Sequence, residues 1–432
     1  MSPRDLQSWL RWQESLHPRD IELGLERLRP VYSRMTGLAE GSRVISIAGT
    51  NGKGTCVAVI EAVAIAAGQR VVAYTSPHLF RYNERIRIDG QPVDDDRLVR
   101  AFEAVERARR GTPLTYFEFG TLAALEICAA ESPDLVVLEV GMGGRLDAVN
   151  IVDADVAVIT SIGLDHQAWL GFDRESIGSE KAGIIRSTRA VVIGDPDPPL
   201  SLLSRAEELG APTYAYQKQW QIEQHPDVWH LSGVDGGIES LPYGPLRGVL
   251  VRNAGCALQA LALTGSGTLG SETQVRRAID QLELPGRMQI IAGEVEWVVD
   301  LAHNPEGAAA LATTVSQRPA AGSCRAVFGM LADKDIGGVV KELAPLVDQW
   351  YLTGIQDGRG ASVDEMAAQV AAAGVRRIEV CQTVEQACQR ARSESTAGDR
   401  VIAFGSFHIV GPALEWLAVY SPASGRGGDQ PG

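Results

Sequence analysis

Apolar runs rich in β-branched residues recur through the first half of the chain, at positions 44–48, 71–75, 135–140, 156–160 and 190–193, with helical segments between them. A strand that is apolar at every residue has both faces covered, which is the habit of a parallel sheet wrapped in helices. The alternation therefore predicts an α/β domain with a doubly wound, mostly parallel sheet. From about 211 to 246 the pattern changes. Tyr214, Tyr216, Trp220 and Trp229 stand among turn residues, and a small antiparallel appendage is expected there. Helical periodicity returns at 253–263 and 272–282, and Leu284-Pro285-Gly286-Arg287 breaks it. Strand–helix alternation then resumes, with strands near 297–300, 326–330, 350–353, 377–380 and 401–404, which predicts a smaller Rossmann-like α/β domain. The expected organisation is an N-terminal domain over 1–284, a linker over 285–290 and a C-terminal domain over 291–420. The tail over 421–432, SPASGRGGDQPG, has almost nothing to bury and is expected to be disordered.

A length of 432 residues agrees with two cores. No apolar run approaches the ~20 residues of a membrane span. The N-terminus, MSPRDLQSWLRWQESLHPRD, lacks the apolar centre of a secretory signal, so a cytoplasmic protein is expected. Cys56, Cys128, Cys256, Cys324, Cys381 and Cys388 are scattered without a C-x-x-C pair and read as reduced packing residues. A net charge of −14 argues against a protein that coats nucleic acid. An anionic substrate must then be met by locally concentrated cations and metal.

The first apolar run leads into Gly49-Thr50-Asn51-Gly52-Lys53-Gly54-Thr55, a glycine-rich turn that opens a helical stretch. Such a turn aims backbone N–H groups at a phosphate, Lys53 adds a point charge on the β- and γ-phosphates, and the Thr55 hydroxyl suits magnesium. The strict Walker pattern is broken, with Ile47 at its first glycine and Gly54 between lysine and hydroxyl. Three further strand ends carry polar groups where open α/β sheets collect ligands. Thr75-Ser76-Pro77-His78-Leu79 follows the second run, and Ser76 suits a metal or phosphate. Glu139 ends the third and is a second anchor for magnesium, followed by Gly141, Gly143 and Gly144, which would let a substrate approach the backbone. Asp165-His166 lies past the fourth, and His166 could complete a second metal site. Lys181, in Glu180-Lys181, reads by itself as part of a solvated helical face.

The ordered set GTNGKGT, TSPHL with ERIRI, TYFE, EVGMGGRLDA, LDH and EKAGI resembles the Mur ligase superfamily, and within it the folate branch of dihydrofolate synthase/folylpolyglutamate synthases. Pro285–Arg287, Asp300–Pro305 and Asp333–Asp335 continue the likeness, which spans about residues 20 to 410. The resemblance implies an ATP-dependent ligase that joins L-glutamate to dihydropteroate and to reduced folates through an acyl phosphate. It implies that residues 49–55 with Asn253, Arg287, Asp300 and His303 bind ATP. It places Thr55, Ser76, Glu139 and His166 on magnesium, two ions in all, with Lys181 carbamylated in support. Lys53, Glu139, His166 and Lys181 form the implied catalytic set. A flat, partly apolar pterin would meet Arg81, Thr115, Tyr116, Phe117, Glu118, Leu146, Asp147 and Ala148, and Arg81 or Arg85 could receive a carboxylate. The implied partners are these small molecules alone, without nucleic acid or membrane, for a monomer. Leu301 and Phe407 depart from the family's usual residues. A monofunctional folylpolyglutamate synthase, a peptidoglycan Mur ligase and a P-loop NTPase switch are the alternatives.

Overall fold

Each apolar run of the first half becomes a strand. The computed structural model describes residues 5–19, 21–233, 236–265, 267, 269–355 and 359–420, so the expected disordered tail at 421–432 lies outside the described residues. The chain divides into two compact units, Met1–Glu283 and Leu284–Gly432.

In the first unit, β1 (Arg43–Ala48), β2 (Val71–Tyr74), β3 (Ile86–Ile88), β4 (Gln91–Pro92), β5 (Leu135–Glu139), β6 (Val156–Ile159), β7 (Ala190–Ile193) and β8 (Thr213–Ala215) form one sheet of order β4-β3-β2-β5-β1-β6-β7-β8. The strands from β2 to β8 in that order run parallel, and the β2–β3 and β3–β4 pairs at the edge are antiparallel. Every residue of β2, β5 and β6 is buried, as strands covered on both faces require. The chain leaves β1 towards β2 on one side and later reaches β6 on the other. The crevice outside the carboxyl ends near β1 is therefore the place for a ligand.

The segment expected as an appendage divides. Residues 213–215 extend the main sheet, pairing parallel with β7, because a three-residue strand shows no period by which to tell its partner. The appendage proper is the antiparallel sheet of β9 (Gln221–Gln224), β10 (Val228–Ser232) and β11 (Ile238–Pro242), sealed by the buried rings of Trp220 and Trp229.

The second unit contains β12 (Gln289–Ile291), β13 (Glu296–Asp300), β14 (Cys324–Phe328), β15 (Gln349–Thr353), β16 (Ile378–Cys381) and β17 (Arg400–Phe404), ordered β12-β13-β17-β14-β15-β16. All pairs are parallel except β12–β13. Strand β12 overlaps the stretch 285–290 expected as a linker. The apolar pair Ile290-Ile291 is too short to announce a strand, and its pairing with Trp297 and Val298 brings it into this sheet. Phe328, Trp350 and Phe404 meet edge-to-face and tilted at the centre of the unit's core.

Candidate active site

Strand β1 delivers the glycine turn to the crevice. Gly52 caps the helix Lys53–Ala66 in the left-handed region at φ 88°, a conformation that a side chain disfavours. The turn is fastened to the loop after β6: the Thr50 N–H donates to the Ser161 carbonyl at 2.8 Å, and the Thr160 hydroxyl to the Asn51 carbonyl at 2.6 Å. The fit is close enough that a Cβ on Gly49 would lie 1.8 Å from the Thr160 hydroxyl, and one on Gly52 2.4 Å from the Asn253 amide. Asn253, implied as an ATP residue, thus lies against the turn. Lys53 curls over it, its ammonium donating to the Gly49 carbonyl at 3.0 Å and the Thr50 carbonyl at 3.4 Å. Thr55 is 1 % exposed and its hydroxyl has no hydrogen-bond partner. A buried polar atom without a partner is costly, and here it sits one turn into the loop's helix.

Ser76 and Glu139 come together at neighbouring strand ends, the Ser76 N–H donating to the Glu139 carboxylate at 3.3 Å. Glu139 is buried. Burial, then Cys256, then the charge of Glu139 push the Cys56 thiol well above its ordinary range, so that charge reaches the residue next to Thr55. Thr55, Ser76 and Glu139 offer only oxygen atoms, the kind of donor that would suit a hard divalent cation that keeps several waters. Among the described residues no three His, Cys, Asp or Glu side chains form a metal cage. His166 stands on the loop after β6 in the left-handed region at φ 51°. Arg174 clamps that loop by donating to the Ile162 carbonyl at 2.8 Å and to Asp195, which itself accepts from the Ile162 N–H at 2.7 Å.

Lys181 does not lie on a solvated face. It is 4 % exposed, near the end of the helix Arg174–Ala182. The glycines after Glu139 also differ from expectation, because protein fills the space that was assigned to substrate. A Cβ on Gly141 would lie 2.6 Å from the Phe117 ring, and one on Gly144 2.8 Å from the Glu180 carbonyl. These glycines admit the Phe117 ring and the Lys181 helix.

The TYFE segment separates into two roles. Thr115 and Glu118 form a capping box at the start of the helix Tyr116–Glu131, and Glu118 also pairs with Arg27. Both side chains are committed to structure, while Tyr116 and Phe117 stay partly exposed. Asp147 accepts from the Met142 and Val149 N–H groups, and burial raises its pKa to about 6 against those bonds and the charge of Lys53. Ala148 is buried behind it, and the Leu146 carbonyl accepts from the Gly24 N–H at 3.1 Å. Arg81 is exposed and pairs with Asp95 at 3.0 Å. Arg85 instead lies over the Tyr82 and Tyr116 rings, 5.1 and 5.6 Å from their centroids, and donates to His78 Nδ1 at 2.9 Å. No carboxylate of the described residues pairs with it, so it is the better-placed cation for an acid. Nothing in the sequence announces the Arg85–His78 or Arg27–Glu118 pairs, since neither spacing belongs to a repeating pattern.

In the second unit, Asp300 ends β13 and accepts from the Met288 N–H at 2.7 Å and the Ala302 N–H at 2.8 Å. Burial raises its pKa to about 6, opposed by those bonds, by the charge of Arg287 and by the neighbouring His303. The three implied nucleotide residues of this unit therefore form one cluster. Leu301 packs beside Gly286 and leaves the Asp300 contacts intact. Phe407 stacks with His408 at a centroid distance of 4.0 Å.

Comparison with known proteins agrees over almost the whole chain. Residues 47–229 match the Mur ligase middle domain and residues 286–407 the Mur ligase glutamate ligase domain. A dihydrofolate synthase/folylpolyglutamate synthase of Escherichia coli is 42 % identical over 410 residues, 95 % of each chain. The structure of E. coli FolC in complex with DHPP and ADP superposes with a TM-score of 0.91 at 40 % identity, covering 96 % of this chain and 98 % of that one. A bifunctional folylpolyglutamate synthase/dihydrofolate synthase with Mn, AMPPNP and L-glutamate bound gives 0.87 at 40 % identity, over 96 % and 98 % of the two chains. The chain belongs to the Mur ligase family, in its dihydrofolate synthase/folylpolyglutamate synthase branch.

Proposed function

We infer that the protein is an ATP-dependent amide ligase that adds L-glutamate to dihydropteroate, forming dihydrofolate, and to reduced folates, forming folylpolyglutamates. The observation that carries this reading is the buried, partnerless Thr55 hydroxyl in a phosphate loop whose neighbouring strand ends bring Ser76 onto Glu139. Two relatives whose names include both activities support the substrate class.

The loop N–H groups and Lys53 hold the ATP phosphates, and Asn253, Arg287, Asp300 and His303 complete the nucleotide's contacts. Thr55, Ser76, Glu139 and His166 would hold the divalent metal, which we take to be magnesium, and Lys181 as its carbamate would support them. Bound there, the metal neutralises charge shared among the phosphate oxygens. Tyr116, Phe117 and the Leu146–Ala148 turn flank the flat ring of the acceptor, and Arg85 meets a carboxylate. An oxygen of the acceptor carboxylate attacks the γ-phosphorus in line, the bond to the bridging oxygen breaks, and ADP leaves. The neutral amine of glutamate attacks the acyl carbon, phosphate departs, and the amine's proton passes to solvent. Lys53 and Arg287 stabilise the transferring charge, and no covalent bond to the chain forms. The enzyme works as a monomer in the cytoplasm.

The test is glutamate-dependent phosphate release from MgATP with dihydropteroate and, separately, with tetrahydrofolate. Activity with both supports the bifunctional ligase, tetrahydrofolate alone reduces it to a polyglutamylating enzyme, and silence with both overturns the reading. Lys181→Ala is expected to cut turnover far more than ATP binding, and unchanged turnover removes the carbamate.

A further inference from the structure

The guanidinium of Arg27 joins segments 91 residues apart. On one side it donates to the Glu22 carboxylate at 2.7 Å and to the Glu22 carbonyl at 2.7 Å. On the other it takes both oxygens of Glu118, at 2.5 and 3.3 Å. The Glu118 side chain is 4 % exposed and that of Arg27 19 %. Glu118 also accepts from the Thr115 N–H at 2.8 Å and so closes the capping box at the start of the Tyr116 helix. Three residues before Arg27, the Gly24 N–H reaches the Leu146 carbonyl. The segment 22–27 therefore braces both proposed walls of the acceptor pocket, the Leu146–Ala148 turn by its backbone and the Tyr116–Phe117 turn through Arg27.

We propose that Arg27 is a positioning residue for the acid acceptor: through Glu118 it fixes the first turn of the Tyr116 helix, and with it the rings that receive the acceptor, without touching the acceptor itself. This rests on the ligase reading above. The Phe117 ring fits against Gly141 with no room for a Cβ, so a shift of the turn displaces the ring from its seat. Removing Arg27 leaves a buried carboxylate without its cation, which then protonates or swings out, and the Thr115 N–H loses its acceptor. Burial already pushes the Glu118 carboxyl up, against the Thr115 N–H and Arg27. A lysine carries the charge but not the planar fork that serves Glu22 and both Glu118 oxygens together. The phosphate loop shares none of these bonds, so the effect belongs to one substrate only.

The experiment is steady-state kinetics of the full-length protein and of Arg27→Lys, Arg27→Met, Glu118→Gln and the Arg27→Met/Glu118→Gln double variant, with dihydropteroate and ATP varied in turn. In Arg27→Met the KM for dihydropteroate is expected to rise about ten- to a hundredfold while the KM for ATP stays within about twofold, with a smaller rise in Arg27→Lys. If Arg27 acts through Glu118, the double variant is no worse than the worse single one. Equal rises in both KM values, no rise in either, or independent multiplying effects in the double variant overturn the proposal. Should Arg27→Met not fold, the Arg27→Lys split between the two KM values decides. A wild-type protein inert towards both dihydropteroate and tetrahydrofolate overturns the ligase reading, and this inference with it, before any substitution is compared; one active with tetrahydrofolate alone is compared with that acceptor in the same kinetics.

Discussion

The Thr55 hydroxyl separates stability from function at the level of a single atom. A buried donor left without a partner costs about 1–3 kcal/mol, so a fold under selection for stability alone has no reason to keep it. Thr55→Val keeps the shape and removes the polar atom. The variant is expected to match or exceed the wild type in thermal midpoint while turnover falls by about a hundredfold, as loss of a group that positions charge does. Equal loss of both would mean that the hydroxyl has a structural partner. Asp147 makes a prediction in pH. Its folded-state pKa of about 6 lies above the ordinary value of 3.8, so the folded state holds the proton more tightly than the unfolded one. The resulting stability is complete below about pH 4 and is lost as pH rises through about 6. Measured against Asp147→Asn in urea, the wild type is expected to lose about 3 kcal/mol of relative stability between pH 4 and 7, the order of a two-unit shift. No change would mean that its backbone hydrogen bonds and the charge of Lys53 cancel burial, and a gain that they outweigh it.

Elements were legible in proportion to their length and burial. The buried parallel strands announce themselves because nearly every residue is apolar. Strands β3, β4, β8 and β12 do not, since two or three residues carry no period. The site was legible where a strand end coincides with a glycine turn, as at Gly49–Thr55 and Glu139. It was opaque where a side chain crosses between elements, as with Arg27, Arg174 and Arg85. Glycine misleads in the same way, because its sequence shows that something comes close without showing what. At Gly144 it is the backbone of the Lys181 helix, with carbonyls 2.8 and 3.0 Å from a would-be Cβ. Gly144→Ala is therefore expected to lower the unfolding free energy of the substrate-free protein by about 1–3 kcal/mol, the usual cost of overpacking. A raised KM at unchanged stability would return the space to the substrate.

At the scale of the whole molecule the proposed chemistry is divided along the chain. The phosphate loop, the oxygen set and the aromatic walls belong to Met1–Glu283, and Arg287, Asp300 and His303 to Leu284–Gly432. A net charge of −14 sharpens the division, because anionic substrates must be drawn by a few local cations against the general field. Lys53 and Arg85 are those of the first unit, and Arg287 that of the second. If both units serve one reaction, damage to either stops turnover, but the binding defects differ. Arg287→Ala is expected to reduce turnover by about a hundredfold while dihydropteroate binding, measured by calorimetry, stays unchanged. Phe117→Ala, in the other unit, is expected to weaken dihydropteroate binding by about tenfold with ATP binding retained, as loss of a ring wall does. Wild-type turnover by Arg287→Ala would remove the second unit from the ATP chemistry and leave the phosphate loop to act with its own unit alone.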